Sequence, residues 1–225
     1  MRPLRLALVV PCTEAEGPGR RFAFWVQGCP PSLRCPGCCN PEMLAFEGGE
    51  EWDVQALAER ILATPDIEGI TLLGGEPVAQ AAALAELCRR VRAGGGEGRP
   101  SREIAAPPGA EAPRPRVGTR LKPALSVMLF SGYELAQLRT MGPDVQDLLA
   151  QTDLLVDGRY DRSLPETRRR WIGSTNQVLH FLSDRYSPGD PAFAAPNTVE
   201  IRFSKDSLNV NGWPALAAAL ARGSR

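Results

Sequence analysis

Short apolar stretches alternate between strand-like and helix-like spacing along most of the chain. Before residue 94 the predicted strands are 6–10, 22–26 and 70–73, and the predicted helices are 52–63 and 79–93. Beyond residue 123 the predicted strands are 125–130, 154–156, 178–182 and 199–203, and the predicted helices are 133–141, 145–151 and 213–222. Because repeated strand-then-helix order is typical of a parallel sheet covered by helices, the sequence predicts an α/β fold with a mainly parallel sheet.

Residues with special backbone or side-chain chemistry follow several of the predicted strands. Cys29 comes just after strand 22–26, Gly74 and Gly75 end strand 70–73, and Ser131 and Asp157 follow the next two strands. The carboxyl ends of parallel strands meet at one edge of a sheet, which is where α/β proteins place their sites. We therefore expect the functional site at this edge.

The chain is rich in glycine and proline, with 22 Gly and 21 Pro among 225 residues. Part of this excess falls in residues 94–123, which hold six Gly, six Pro and no aromatic residue. Such a segment buries too little apolar surface to offset its conformational entropy. We expect residues 94–123 to be a flexible surface insertion within one domain that spans residues 1–225.

The charge balance and the hydrophobic pattern exclude several classes of function. The 26 basic and 26 acidic residues cancel, so no overall attraction to nucleic acid or to an anionic membrane is expected. No apolar run approaches the roughly 18 residues of a membrane span, and the first apolar run is too short for a signal peptide. We expect a cytoplasmic protein, in which clustered cysteines favour metal or redox chemistry over disulfides.

Four of the six cysteines lie in one loop that is rich in proline and glycine. Cys29, Cys35 and Cys38 have the spacing C-x5-C-x2-C, and Cys39 follows directly. Three thiolates on a four-iron cluster leave one iron open for a substrate or cofactor, whereas a fourth thiolate would close the site. Adjacent residues of an extended segment point in opposite directions, which argues against Cys39 as that fourth ligand. Spacing alone also leaves a structural zinc site open.

Further short motifs are spaced along the chain on both sides of the insertion. They are GPGRR (17–21), FWVQGC (24–29), CPGCCN (35–40), GGEP (74–77), FSGYEL (130–135), LVDGRY (155–160) and GSTNQV (173–178). Taken in this order, the set resembles the radical S-adenosylmethionine (SAM) superfamily, specifically the activating proteins of anaerobic ribonucleotide reductase and, more distantly, pyruvate formate-lyase activases. The resemblance covers nearly the whole chain apart from the insertion and the last 40 or so residues.

The resemblance implies an incomplete (β/α) barrel of the radical SAM type that carries one 4Fe-4S cluster. Cys29, Cys35 and Cys38 would bind the cluster, and SAM would bind its open iron. Reductive cleavage of SAM would give a 5′-deoxyadenosyl radical, which would install a glycyl radical on a partner such as anaerobic ribonucleotide reductase. A one-electron donor such as flavodoxin or ferredoxin would reduce the cluster, and neither nucleic acid nor a membrane is an expected partner.

The resemblance also implies which residues contact SAM. They are Gly37, Cys38, Cys39, Gly74, Gly75, Glu76, Ser131 and Asp157. The two glycines would let the backbone approach the methionyl ammonium, because a Cβ there would obstruct it. Ordinary turns remain the alternative for the glycine pair and for Asp157. Asn176 and Gln177 would bind the cofactor or shape the partner site, and a role in a turn or at a sheet edge is an equal alternative. His180 is interpreted as a packed strand residue.

Two features depart from the family pattern, and two other functions stay open. The family spacing is C-x3-C-x2-C, and its third cysteine is typically followed by an aromatic residue where this chain has Cys39. One alternative function is a radical SAM maturase acting on another peptide or protein. The other is a non-catalytic metal-binding adaptor, which would have no need for the GGEP motif.

Overall fold

The computed structural model describes residues 3–95, 124–203 and 208–213. The strands are β1 (Leu4–Thr13), β2 (Arg21–Val26), β3 (Glu50–Trp52), β4 (Gly69–Gly74), β5 (Ser126–Phe130), β6 (Leu154–Asp157), β7 (Val178–Phe181), β8 (Val199–Phe203) and β9 (Leu208–Gly212). The α-helices are α1 (Val54–Ala63), α2 (Ala81–Gly95), α3 (Leu135–Leu138), α4 (Pro143–Ala150) and α5 (Pro191–Ala194). The predicted α/β class is confirmed.

Seven strands form the central sheet in the order β3-β1-β2-β4-β5-β6-β7. The four middle strands, β2, β4, β5 and β6, are parallel, so the prediction of a mainly parallel centre is confirmed. The outer strands β1, β3 and β7 are antiparallel to their neighbours. The loop between β1 and β2 is too short for a crossover connection, which needs about a dozen residues or more, and so it joins antiparallel strands.

One face of the sheet carries the main core. Phe22, Phe24, Ile70 and Leu72 point from β2 and β4 toward the apolar sides of the helices α1, α2 and α4. β2 is buried along its whole length, which is typical of a central parallel strand. At the start of α1 the Asp53 side chain accepts a hydrogen bond from the Ala56 N–H, a cap that stabilises a helix by about 1 kcal/mol.

Part of the opposite face of the central sheet is covered by irregular segments of the chain. Met128, Leu154 and Val156 pack there against Trp171 and Ile172. Residues of β7 and of the segment that follows β7 complete this cluster. The predicted strand at 199–203 is confirmed as β8, but it pairs with β9 in a separate two-stranded sheet. The predicted helix at 213–222 lies, except for Trp213, outside the described residues.

Two predicted helix boundaries are wrong, each for a local reason. α2 continues to Gly95 although the sequence predicts a stop at Gly94. A Cβ on Gly94 would lie 2.4 Å from Leu62 Cδ1, so this glycine permits close packing of α2 on α1. The helix predicted at 133–141 is only α3, because residues 131–134 form a turn and Pro143 starts a new helix. Residues 96–123 of the predicted insertion lie outside the described residues.

A buried arginine at the amino edge of the parallel strands was not predicted as structural. The Arg21 side chain is fully buried and donates hydrogen bonds to Thr71 Oγ1, the Ile70 carbonyl and Ser126 Oγ. Burial lowers the pKa of this guanidinium. Arg21 thus ties β2, β4 and β5 together at the edge opposite the predicted site.

Candidate functional site

The carboxyl ends of the four parallel strands lie side by side and bring the predicted site residues to one edge. Val26 of β2 pairs with Gly74 of β4, and Phe130 of β5 pairs with Val156 of β6. The cysteine loop follows β2, and the next three turns follow β4, β5 and β6. The edge predicted from the sequence is therefore the one where the motifs meet.

The glycine turn after β4 packs directly on the backbone that leads into the cysteine loop. The Gly75 N–H donates to the Val26 carbonyl at 2.9 Å, and the Glu76 N–H donates to the Gly28 carbonyl at 2.8 Å. Gly74 has φ +115°, and a Cβ on Gly75 would lie 2.2 Å from the Gly28 oxygen. Both positions therefore require glycine to hold this turn against the residue that precedes Cys29.

The Glu76 side chain joins the turn after β4 to the turn after β5. Its carboxylate accepts hydrogen bonds from the Val78 N–H at 3.0 Å, the Ser131 hydroxyl at 3.0 Å and the Gly132 N–H at 2.8 Å. The residue is 1% exposed, and burial raises the pKa of this carboxyl group to about 7 despite the three donors. Glu76 therefore acts as a buried tie between two motifs that lie more than 50 residues apart in the sequence.

Ser131 and Asp157 are also buried at this edge and are bonded to backbone groups. Ser131 Oγ accepts a hydrogen bond from the Tyr133 N–H at 3.1 Å in addition to donating to Glu76. Asp157 Oδ2 accepts the Leu135 N–H at 2.6 Å and lies 2.9 Å from His180 Nε2. The sequence did not identify the pairing of His180 with Asp157, because it depends on β7 running antiparallel to β6.

The motif at 173–178 forms a turn that supports the end of β6. The Gln177 side chain donates to the Gly158 carbonyl at 3.0 Å and accepts the N–H groups of Gly173 and Ser174. Asn176 donates to the Arg159 carbonyl at 2.8 Å. These contacts favour the role in a turn over the alternatives that the sequence leaves open for Asn176 and Gln177.

The thiols of the cysteine loop differ in their exposure. Cys29 is buried, Cys35 and Cys38 are half-buried, and Cys39 is exposed. Burial raises the pKa of the Cys29 thiol to about 11, and the nearby Glu76 charge acts in the same direction. The Asn40 N–H donates to Cys38 Sγ at 3.4 Å. A hydrogen bond with Cys39 lowers the pKa of Cys38 and raises that of Cys39, so Cys38 is the more readily ionised member of the pair.

The donor set of the loop fits a thiolate-bound cluster. Cys29, Cys35 and Cys38 lie close enough for their charges to affect one another's pKa. Within residues 3–95, 124–203 and 208–213, no three Cys, His, Asp or Glu side chains already converge as a metal site. Gly37 lies between Cys35 and Cys38 in the left-handed conformation, at φ +72°, which favours glycine at this turn of the loop.

Two residues beside the loop were not singled out from the sequence. Arg159 donates to the Arg34 carbonyl at 2.6 Å, and its charge favours the ionised form of Cys35, although burial dominates and raises the pKa of that thiol. Tyr160 lines a cavity of about 250 Å³ together with Pro36, Arg159, Asp161 and Asn176. Both residues belong to the LVDGRY motif. Their position beside the cysteine loop follows from the fold and could not be read from the sequence.

The comparison with known families agrees with the chemistry of this loop. Residues 15–100 and 116–180 match the family described as a 4Fe-4S single cluster domain, and this match includes the cysteine loop and the glycine turn. The chain belongs to the 4Fe-4S single cluster domain family. A 4Fe-4S cluster is therefore the cofactor of this 4Fe-4S single cluster domain.

Curated relatives of this 4Fe-4S single cluster domain are similar over most of their own length. The chain is 28% identical to the anaerobic ribonucleoside-triphosphate reductase-activating protein of Vibrio cholerae over 179 residues, covering 76% of this chain and 93% of the relative. The protein of the same name from Escherichia coli K12 is 27% identical, covering 76% of this chain and 95% of the relative. The one from phage T4 is 25% identical, covering 78% of this chain and 93% of the relative. Among the described residues, no helix has the length and hydrophobicity needed to cross a membrane.

Proposed function

We propose that this protein is a radical SAM activase that installs a glycyl radical on a partner enzyme, with anaerobic ribonucleoside-triphosphate reductase as the expected class of partner. The observation that carries the proposal is the docking of the glycine turn on the cysteine loop, through the 2.8 Å bond from Glu76 N–H to the Gly28 carbonyl. A structural metal site needs only its ligands. A site that must also hold a second cofactor needs a neighbouring backbone surface, and this turn provides one.

The cysteines and the turns divide the binding tasks in this proposal. Cys29, Cys35 and Cys38 would hold the cluster, which supplies the electron that cleaves SAM and so generates a radical able to take a hydrogen atom from glycine. Gly37, Cys38 and Cys39, at the end of the loop, would lie against the nucleoside. A backbone carbonyl of the Gly74–Gly75 turn would accept hydrogen bonds from the methionyl ammonium.

Glu76, Ser131 and Asp157 would support and complete this second site. Three donors already occupy the Glu76 carboxylate, so we propose that it fixes the two turns and contributes its charge to the ammonium site. The described contacts of Asp157 both engage Oδ2. We propose that Ser131 and Asp157 Oδ1 contact the ribose or the methionyl carboxylate.

We also propose that the sheet is the wall of an incomplete (β/α) barrel. Helices cover one face of the parallel strands, and the residues proposed to bind the cofactors lie at the carboxyl edge of the sheet, as they do in barrel enzymes. Such an arrangement would leave an opening on the other face, beside the segments that pack on it, to admit a glycine loop of the partner. It would also exclude water from a reactive radical.

Anaerobic reconstitution with iron and sulfide tests the proposed activity. After reduction in the presence of SAM, the wild-type protein is expected to form 5′-deoxyadenosine, and the Cys35→Ala variant is expected to form none. Cys12→Ala is the matched control, because Cys12 lies on β1 outside the loop and should leave product formation unchanged. Tight zinc binding without an iron–sulfur spectrum would contradict the proposal and favour the adaptor alternative.

A further inference from the structure

A cavity of about 250 Å³ opens beside the cysteine loop, and an aromatic ring lines it. Its lining residues are Pro36 of the loop, Arg159, Tyr160 and Asp161 after β6, and Asn176 of the turn at 173–178. Among these described residues Tyr160 alone is aromatic. Pockets for drug-sized ligands have volumes of roughly 300–1,000 Å³, so this smaller cavity suits one ring system better than a whole cofactor.

Tyr160 lies beside the end of the loop that carries Cys38 and Cys39. Burial raises the pKa of the Tyr160 phenol, and the charges of the nearby Cys39 and Cys38 thiolates act in the same direction. Burial raises the pKa of the Cys35 thiol, and a hydrogen bond from the Tyr160 backbone acts against that rise. The ring therefore stands next to the residues proposed to lie against the nucleoside. Those residues, Gly37, Cys38 and Cys39, offer no aromatic surface of their own.

The turn at 173–178 holds Tyr160 in place. The Asn176 side chain donates to the Arg159 carbonyl at 2.8 Å, which fixes the backbone that precedes the tyrosine. A Cβ on Gly173 would stand 2.9 Å from Tyr160 Cδ2 and 3.1 Å from Cε2, so this glycine lets the turn pack closely against the ring. A ring held in this way loses little conformational freedom when a ligand binds.

We propose that the ring of Tyr160 is the surface on which the adenine of SAM stacks in this cavity, an inference that rests on the proposed function. Bases stack on aromatic side chains, and the loss of one such contact weakens binding by roughly 5- to 150-fold. The Arg159 guanidinium is less suited to this role, because it already donates to the Arg34 carbonyl at 2.6 Å.

A second tyrosine near the loop lies at the other end of the site. Burial raises the pKa of the Tyr133 phenol, and the nearby charges of Glu76 and Cys29 act in the same direction. Tyr133 also packs against the main core. It therefore stands on the side proposed for the methionyl group, whereas Tyr160 stands on the side proposed for the nucleoside.

Substitution of Tyr160 tests the inference through binding instead of turnover. Equilibrium dialysis with labelled SAM is carried out on reconstituted protein with an oxidised cluster, so that SAM binds without being cleaved. Tyr160→Leu keeps an apolar side chain but removes the ring, and we expect SAM to bind about tenfold more weakly. Tyr160→Phe keeps the ring and should bind SAM within about twofold of wild type. Phe203→Leu is the matched control, because this ring is 82% exposed on β8 of the separate two-stranded sheet, and it should bind SAM like wild type.

Two fragments of SAM separate stacking from general damage to the loop. 5′-Deoxyadenosine keeps the base and should also bind about tenfold more weakly to Tyr160→Leu, whereas methionine lacks the base and should bind equally well to both proteins.

Equal binding of SAM to Tyr160→Leu and wild type would overturn the stacking surface while leaving the activase intact. A tenfold loss in Tyr160→Phe would also overturn it, because the hydroxyl would then be the contact. Loss of iron or of methionine binding in Tyr160→Leu would overturn it as well, since the residue would then support the loop. Failure of wild type to bind SAM and 5′-deoxyadenosine would instead contradict the proposed function.

Discussion

The carboxylate of Glu76 accepts a 2.8 Å hydrogen bond from the backbone N–H of Gly132, which joins the turns after two neighbouring strands. Glu76→Gln keeps the size of the side chain but places an amide NH₂ against at least one of the three donors. We expect the free energy of unfolding to fall by about 1–3 kcal/mol, because a buried donor loses its acceptor. Urea unfolding measures this loss.

Ser131→Ala is the matched control for that substitution. It removes one donor to the carboxylate and the acceptor of the Tyr133 N–H, and it leaves the carboxylate bonded to Gly132 and Val78, so we expect a loss of about 1 kcal/mol. If Glu76→Gln costs no more than Ser131→Ala, Glu76 is not the tie between the two turns.

The close contact between Gly75 and Gly28 predicts a sharp effect of a single methyl group. In Gly75→Ala the new Cβ would meet the Gly28 oxygen at 2.2 Å, so the turn must move away from the cysteine loop. We expect at least a 100-fold loss in the rate of 5′-deoxyadenosine formation. Gly189→Ala has its nearest neighbour 4.0 Å away and should stay within about 0.5 kcal/mol of wild-type stability. Near-normal turnover in Gly75→Ala would show that the turn has no part in the reaction.

Two buried carboxyl groups predict that the stability of the cluster-free protein decreases as pH rises. Burial raises the pKa of both Glu16 and Glu76 from 4.5 to about 7. The folded state therefore holds protons that the unfolded chain releases above pH 4.5. The contribution of these two groups to stability is greatest below that pH, and it falls by about 1 kcal/mol per pH unit for each group until about pH 7.

Urea unfolding at several pH values between 4.5 and 7, at constant ionic strength, measures this slope. Glu16 accepts the Gly212 N–H at 2.6 Å, and Glu16→Gln should remove about half of the pH dependence because the amide does not titrate. A stability that rises with pH across this interval would contradict the assignment.

Cys39 provides a test of the ligand set. It is exposed, whereas Cys29 is buried and Cys35 and Cys38 are half-buried. We expect Cys39→Ala to retain the iron content and the visible absorption of the reconstituted cluster, and Cys35→Ala to lose both. Loss of the cluster in Cys39→Ala together with its retention in Cys35→Ala would assign the third ligand to Cys39.

The parallel centre of the fold was predictable because its strands are apolar, short and separated by amphipathic helices. β2 and β4 begin and end within one residue of their predicted bounds. The antiparallel outer strands were harder to predict. β3 has only three residues, two of them exposed glutamates, and it forms only because β1 offers a free edge beside it. Local propensity carries little information about such a pairing.

The sequence predicted which residues lie at the site, but it did not predict the hydrogen bonds and contacts between them. Spacing and motif order indicated the cysteines, the glycine turn, Ser131 and Asp157. Nothing local indicates that the Glu76 carboxylate bonds to residues 131 and 132, or that His180 lies beside Asp157. These contacts join residues far apart in the sequence, and they depend on strand order and on the orientation of β7.

Electron paramagnetic resonance of the partner enzyme tests the central claim most directly. The reconstituted and reduced protein is incubated under anaerobic conditions with SAM and an anaerobic ribonucleoside-triphosphate reductase, and the spectrum of the reductase is recorded. The account predicts a glycyl radical signal that requires SAM and is absent with the Cys35→Ala variant. Formation of 5′-deoxyadenosine without any glycyl radical on the reductase would contradict the activase assignment and favour a maturase with another substrate.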